Sequence, residues 1–206
     1  DFFMLENVGL NVLGINWTKK DAEALQQKDI AKERGNAPAI ALSYTVYKEG
    51  AYLGWSLARF WGVANWSSTM SQRMDEDPKD APEMQEVISP SNQWELKHSD
   101  LNYREGEDVV EIRLVNNSYC RLNGWKNSTG TEHWERVLEW SETLLKNNIG
   151  YRFVRKDELA DADALSKEKT PLLIDNMGCV SDTQLKSIQT FLEQNGQVFL
   201  GMVNGH

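Results

Sequence analysis

Cysteine is scarce, with only Cys120 and Cys179 in 206 residues. Two thiols cannot build a disulfide framework, and no CxxC or Cys/His spacing marks a metal site, so the redox compartment stays open. Proline is scarce too, at five; with 40% hydrophobic and 26% charged residues, disorder as the main state is excluded. No apolar run approaches the roughly 18 to 20 residues of a membrane span, and a soluble chain is expected. Positive charge is in deficit. The 22 basic and 31 acidic residues leave a formal net charge of -9, which repels a nucleic-acid backbone or an anionic membrane, and neither is expected as a partner. Glycine-rich phosphate turns are missing as well: Asp175-Asn176-Met177-Gly178 and Tyr47-Lys48-Glu49-Gly50 fit neither GxGxxG nor a P-loop. A calcium loop needs alternating oxygen donors about a fixed glycine, which Asp75-Glu76-Asp77-Pro78 does not supply. No cofactor and no metal are expected. The chain opens at Asp1 inside an apolar stretch, without initiator Met, charged leader or cleavage site, and this start is read as a cut through a longer polypeptide.

Tryptophan is abundant, with eight. An indole either fills a core or interface, or covers the apolar face of a pyranose, and both uses stay open for Trp55, Trp61 and Trp66.

Along the chain, the apolar run Gly9 to Trp17 suits a buried strand, and a helix follows to Arg34 with Thr18 as N-cap and Gly35-Asn36 as its stop. Residues 39–46 read as a buried parallel strand. A helix with Leu53, Leu57, Phe60, Trp61 and Ala64 on its apolar face comes next. Residues 71–111 hold twelve acids against four bases, nearly the whole charge excess, and three of the five prolines. They read as a solvated insertion, with a strand at Val109 to Val115 on its far side. Order returns at Thr131 with a helix carrying Trp134, Val137, Leu138, Trp140, Ser141, Leu144 and Leu145, closed by Gly150 as a left-handed stop. Strand Tyr151 to Val154, a polar connection, strand Pro171 to Asp175, a helix capped by Ser181 and Asp182, and a strand from Gln197 to Val203 complete the chain. The buried side of that last helix is expected at Leu185, Ile188 and Leu192, with Phe191 beside it and Gly196 ending the helix. This order of helices and strands with short joints predicts an α/β fold with a doubly wound, mainly parallel sheet.

The run from Leu172 to Leu200 combines a buried strand, a loop, Val180-Ser181-Asp182 opening a helix, the pair Phe191-Leu192, and Gly196 before another strand. It resembles the domain that follows the barrel in β-galactosidases of the family 42 type, the β-galactosidase trimerisation domain. The Trp-rich helix from His133 and the stretch to Leu159 extend the likeness, and Ala39 to Tyr44 is similar to that domain's first strand. The resemblance implies a flavodoxin-like, class I glutamine amidotransferase-like domain at residues 37–206, incomplete at its C-terminus, with an insertion at about 71–130. It also implies that residues 1–36 are the terminal βα unit of a TIM barrel. The implied role is that of a non-catalytic accessory or oligomerisation segment of a glycoside hydrolase. Its partners would be the parent barrel, further copies of the chain (a trimer by family habit), and a galactoside through the parent. Trp17 would sit at the C-terminal end of the barrel strand, lining a sugar subsite or packing under the last helix. The catalytic carboxylate pair of such enzymes is matched by nothing in the chain. A stand-alone flavodoxin-like protein and a carbohydrate-binding module are the alternatives.

An active amidotransferase places its nucleophile in a Gly-x-Cys-x-Gly elbow and pairs it with a downstream His. Gly178-Cys179-Val180-Ser181 lacks the second glycine, and His206 is the only later histidine. Cys179 is therefore expected to be a buried loop thiol. His98 and His133 are expected in surface or capping roles, and Asp175, at a strand end, as a loop hydrogen-bonder.

Overall fold

A computed structural model describes residues 3–6, 17–33, 35, 37–44, 48–68, 82–101, 109–123 and 132–201. The chain is α/β. It divides into two compact units, Asp1–Glu107 and Asp108–His206. All strand pairs of the described residues are parallel, in two small sheets.

Unit 1 holds strands β1 (Phe3–Glu6), β2 (Ala39–Tyr44) and β3 (Ala64–Ser68), with helix α1 (Trp17–Glu33) before β2, α2 (Lys48–Trp61) before β3, and α3 (Pro82–Lys97) after it. Its sheet runs in chain order, β1-β2-β3. The β2 strand forms within the expected stretch, with Ala39, Ala41, Leu42 and Ser43 buried and β1 and β3 paired on either side of it. The expected strand at residues 9–17 lies outside the described residues except for Trp17, which is the first residue of α1 rather than the end of a strand. Thr18 consequently lies within α1 instead of capping it. Gly35 takes the left-handed φ of 73° that ends the helix.

The buried face of α2 differs from the expected one. It consists of Gly50, Ala51, Gly54, Ala58 and Trp61, while Phe60 is 76% exposed. Ala64 opens β3. Small residues let the helix axis approach the sheet closely, so the large side chains are displaced to the flank of the stripe.

Unit 2 holds β4 (Ile112–Asn116), α4 (Ser118–Leu122), α5 (His133–Lys146), β5 (Tyr151–Arg155), α6 (Lys156–Ala160), α7 (Ala162–Ser166), β6 (Leu172–Ile174), α8 (Asp182–Glu193) and β7 (Val198–Leu200). Its sheet order is β5-β4-β6-β7. The strand expected on the far side of the acidic stretch is thus central. It pairs with β5 from Ile112 against Tyr151 and with β6 from Arg113 against Leu172. Around it the core gathers Val115, Val154, Leu159, Leu172, Ile174 and Phe191.

Two joints expected to be glycine stops are made by asparagine. Asn148 and Asn195 carry the left-handed φ values of 55° and 64°. Gly150 and Gly196 serve close approach instead: a Cβ on Gly150 would lie 2.0 Å from the Val109 carbonyl oxygen, and one on Gly196 2.3 Å from the Phe191 ring. The buried side of α8 is Gln184, Ser187, Ile188 and Phe191, leaving Leu185 46% and Leu192 48% exposed. Ser181 caps the helix: it accepts from the Gln184 N–H, and the Gln184 side chain turns back to accept from the Ser181 N–H, while bonds to Asn117 and the Lys156 carbonyl hold Gln184 inward.

Candidate functional site

In an open parallel sheet, ligands bind beyond the carboxyl ends of the strands, where the direction of winding reverses. In unit 2 the chain passes from β4 outward to β5, then returns past β4 to β6 and β7. The reversal therefore lies at the ends of β4 and β6. The residues there are Asn116 at the end of β4 and Asn117 after it, and Asp175 and Asn176 after β6, all buried.

The first residue of α5, His133, spans the gap. Its Nε2 accepts from the Asn117 backbone N–H at 2.9 Å, and its Nδ1 lies 2.8 Å from the Asp175 carbonyl oxygen. A carbonyl can only accept and a backbone N–H can only donate, so the partners dictate a neutral imidazole protonated on Nδ1. Burial acts in the same direction, pushing the imidazole below its ordinary pKa, partly opposed by the Asp175 carbonyl and charge.

Asn117 and Gln184 face each other with reciprocal amide hydrogen bonds, both 3.1 Å. The Asn117 Nδ2 also donates to the Cys179 carbonyl at 3.3 Å, and the Gln184 Nε2 to the Lys156 carbonyl at 3.2 Å. The Cys120 thiol donates to the same Cys179 carbonyl at 2.9 Å. Burial pushes the Cys120 thiol up to about 11.

Asp175, 3% exposed, accepts on Oδ2 from Trp140 Nε1 at 2.7 Å and from Arg136 Nη2 at 3.3 Å. Its Oδ1 is buried with no hydrogen-bond partner among the described residues. Gly201 passes so close that a Cβ there would lie 2.3 Å from this oxygen.

We call this buried, hydrogen-bonded cluster the plug. The Asn117 and Gln184 amides and the Cys179 carbonyl bond one another, and both nitrogens of the imidazole are engaged by backbone groups. Cys179, half-buried, contributes its carbonyl oxygen here; His133 is not poised to take a proton from its thiol.

The other residues singled out from the sequence lie elsewhere. Trp17 is a half-buried residue at the start of α1 in unit 1. The three tryptophans weighed as a sugar platform do not share one role: Trp61 is buried and donates to Asp21 Oδ1 at 2.8 Å, Trp55 donates to Glu95 Oε1 at 2.7 Å, and Trp66 is exposed on β3. His98 packs against Trp94 with its ring tilted 40° and the ring centroids 4.7 Å apart. The stretch Asp75 to Pro78 lies outside the described residues. Among the described residues, no three His, Cys, Asp or Glu side chains cluster as metal ligands.

Sequence reasoning missed Asn117, Gln184 and the bridging place of His133. A signal was available: two asparagines end a buried run at 112–117, and a histidine opens the next amphipathic helix. Comparison with protein-family models and with curated proteins finds no match.

Proposed function

We propose that the chain is a segment of a multidomain glycoside hydrolase of the family 42 β-galactosidase type, in which unit 2 is a non-catalytic, flavodoxin-like accessory domain. The observation that carries this reading is the plugged reversal point. A doubly wound sheet that acts on a ligand keeps that crevice open; here Asn117, His133, Gln184 and the Cys179 carbonyl occupy it and satisfy each other. The order β5-β4-β6-β7 supports the fold assignment, since the four strands in chain order stand as 2-1-3-4, the flavodoxin-like arrangement. Unit 1 supports the barrel portion. Three parallel strands in chain order with helical crossings are the winding of consecutive barrel strands, so the barrel remnant extends beyond residue 36 to include β3. Trp17 then belongs to a barrel helix, which favours packing over a sugar subsite. The job of unit 2 is structural, as a contact between subunits or a wall of the parent's sugar site.

The test is the reading frame upstream of the Asp1 codon. It is expected to encode the earlier barrel strands with the acid/base and nucleophile carboxylates. A frame that opens at Asp1 would overturn the reading, as would turnover of a chromogenic galactoside by these 206 residues alone.

A further inference from the structure

We propose that Cys120 and Cys179 form a reversible disulfide that ties helix α4 to the β6–α8 loop across the carboxyl edge of the unit 2 sheet. They are the only two cysteines of the chain and lie 59 positions apart. The fold brings them together. Cys120 is wholly buried in the core cluster of unit 2, and the half-buried side chain of Cys179 packs against that same cluster. The Cys120 Sγ lies 2.9 Å from the Cys179 carbonyl oxygen. A carbonyl oxygen sits about 2.4 Å from its own Cα, so the Cys120 sulfur is at most about 5.3 Å from the Cys179 Cα, and the bridge requires the Cys179 side chain to turn toward it and the two segments to close the remaining gap. Both segments are held in place independently of the thiols. Asn117, one residue before α4, also binds the Cys179 carbonyl and pairs with Gln184 on α8.

Exposure sets the order of events. Cys179 is the accessible partner, and Cys120 is wholly buried and its thiol disfavours ionisation. The oxidant is a small-molecule disulfide. The Cys179 thiolate attacks one of its sulfurs, forming a mixed disulfide and releasing one thiolate. Cys120 then loses its proton and attacks the Cys179 sulfur, closing the internal bridge and expelling the second thiol. The two cysteines are oxidised and the small disulfide is reduced to two thiols.

The native chain would be incubated with oxidised glutathione, quenched in acid, and mapped by mass spectrometry without reduction. The expected product has lost two hydrogens, carries no glutathione, and yields one cross-linked peptide joining Cys120 to Cys179. Closing so long a loop is expected to raise the Tm by about 5 °C or more, reversed by dithiothreitol. Cys120→Ser is expected to stop at glutathione on Cys179. Three results would overturn the proposal: a glutathione adduct that persists on Cys179 of the unmutated chain, a disulfide between chains, or a bridge that forms only in denaturant.

Discussion

At the scale of single residues, the largest energetic demand falls on Arg113. It is fully buried on the central strand, yet its guanidinium donates to the carbonyls of Leu165 at 2.8 Å, Glu168 at 3.0 Å and Thr170 at 2.9 and 3.0 Å, and stacks on Phe191. Burial pulls its pKa down, and Glu168 and Glu158 act against that. Replacing it by Ala removes the donor from one buried carbonyl, that of Leu165, and from the part-buried carbonyls of Glu168 and Thr170, and leaves a cavity; it is expected to cost about 3 kcal/mol in urea unfolding. Lys cannot reproduce the fork and is expected to recover only a fraction. His133 gives a pH dependence. Its folded pKa is depressed by burial, so as pH falls through the unfolded value of about 6.5 the unfolded chain binds a proton that the folded chain refuses. Stability is then complete above that value and declines below it. Urea midpoints measured from about pH 7.5 to 5.5 are expected to fall, and His133→Gln is expected to flatten that slope while lowering the midpoint at neutral pH. Identical midpoint slopes in the two proteins would show that His133 is not the group responsible.

At the scale of elements, the strand and helix order of the second half was legible because each apolar run there has one period and a polar joint at either end. What escaped was which residues face inward. On α8, Ile188 is buried as expected, but Leu185 and Leu192 are exposed, and Gln184, Ser187 and Phe191 go in, Gln184 held there by Asn117 and the Lys156 carbonyl. On α2, Trp61 is buried as expected, but the rest of the buried face is glycine and alanine, which add little to a hydrophobic pattern. The two joints ending in glycine misled in a similar way, since asparagine takes the left-handed turn and glycine makes room for its neighbour. These roles separate by mutation. Ser181→Ala removes one half of the cap and is expected to cost about 1 kcal/mol, with the α8 amides exchanging faster near Gln184. Gly150→Ala forces the β-carbon into the Val109 carbonyl and is expected to destabilise unit 2 far more than Asn148→Gly, which suits the left-handed turn and leaves the Tm near its starting value.

At the scale of the whole molecule, nearly all of the formal charge of -9 falls in one window. Acids and prolines concentrated in 71–111 look like a solvated excursion, and the expected insertion reaches to about 130. Sequence composition reports how polar a window is; it does not report whether a five-residue run inside that window is paired on both sides. Ile112 to Asn116 is such a run, with β5 on one side and β6 on the other, and Arg113 at its start is charged because it pins the α7–β6 loop. The plug depends on this strand too, since Asn117 follows it directly and supplies both the N–H for His133 and the amide for Gln184. Removing residues 108–130 therefore takes away the centre of a sheet, its buried arginine and half of the plug, whereas trimming an excursion would leave the fold intact. Two fragments test this. Residues 108–206, which contain all four strands of their sheet and its core, are expected to unfold in one cooperative urea transition with native-like circular dichroism. Residues 131–206 are expected to show no such transition. Cooperative folding of the shorter fragment would mean that β4 is dispensable and that residues 108–130 belong to an insertion.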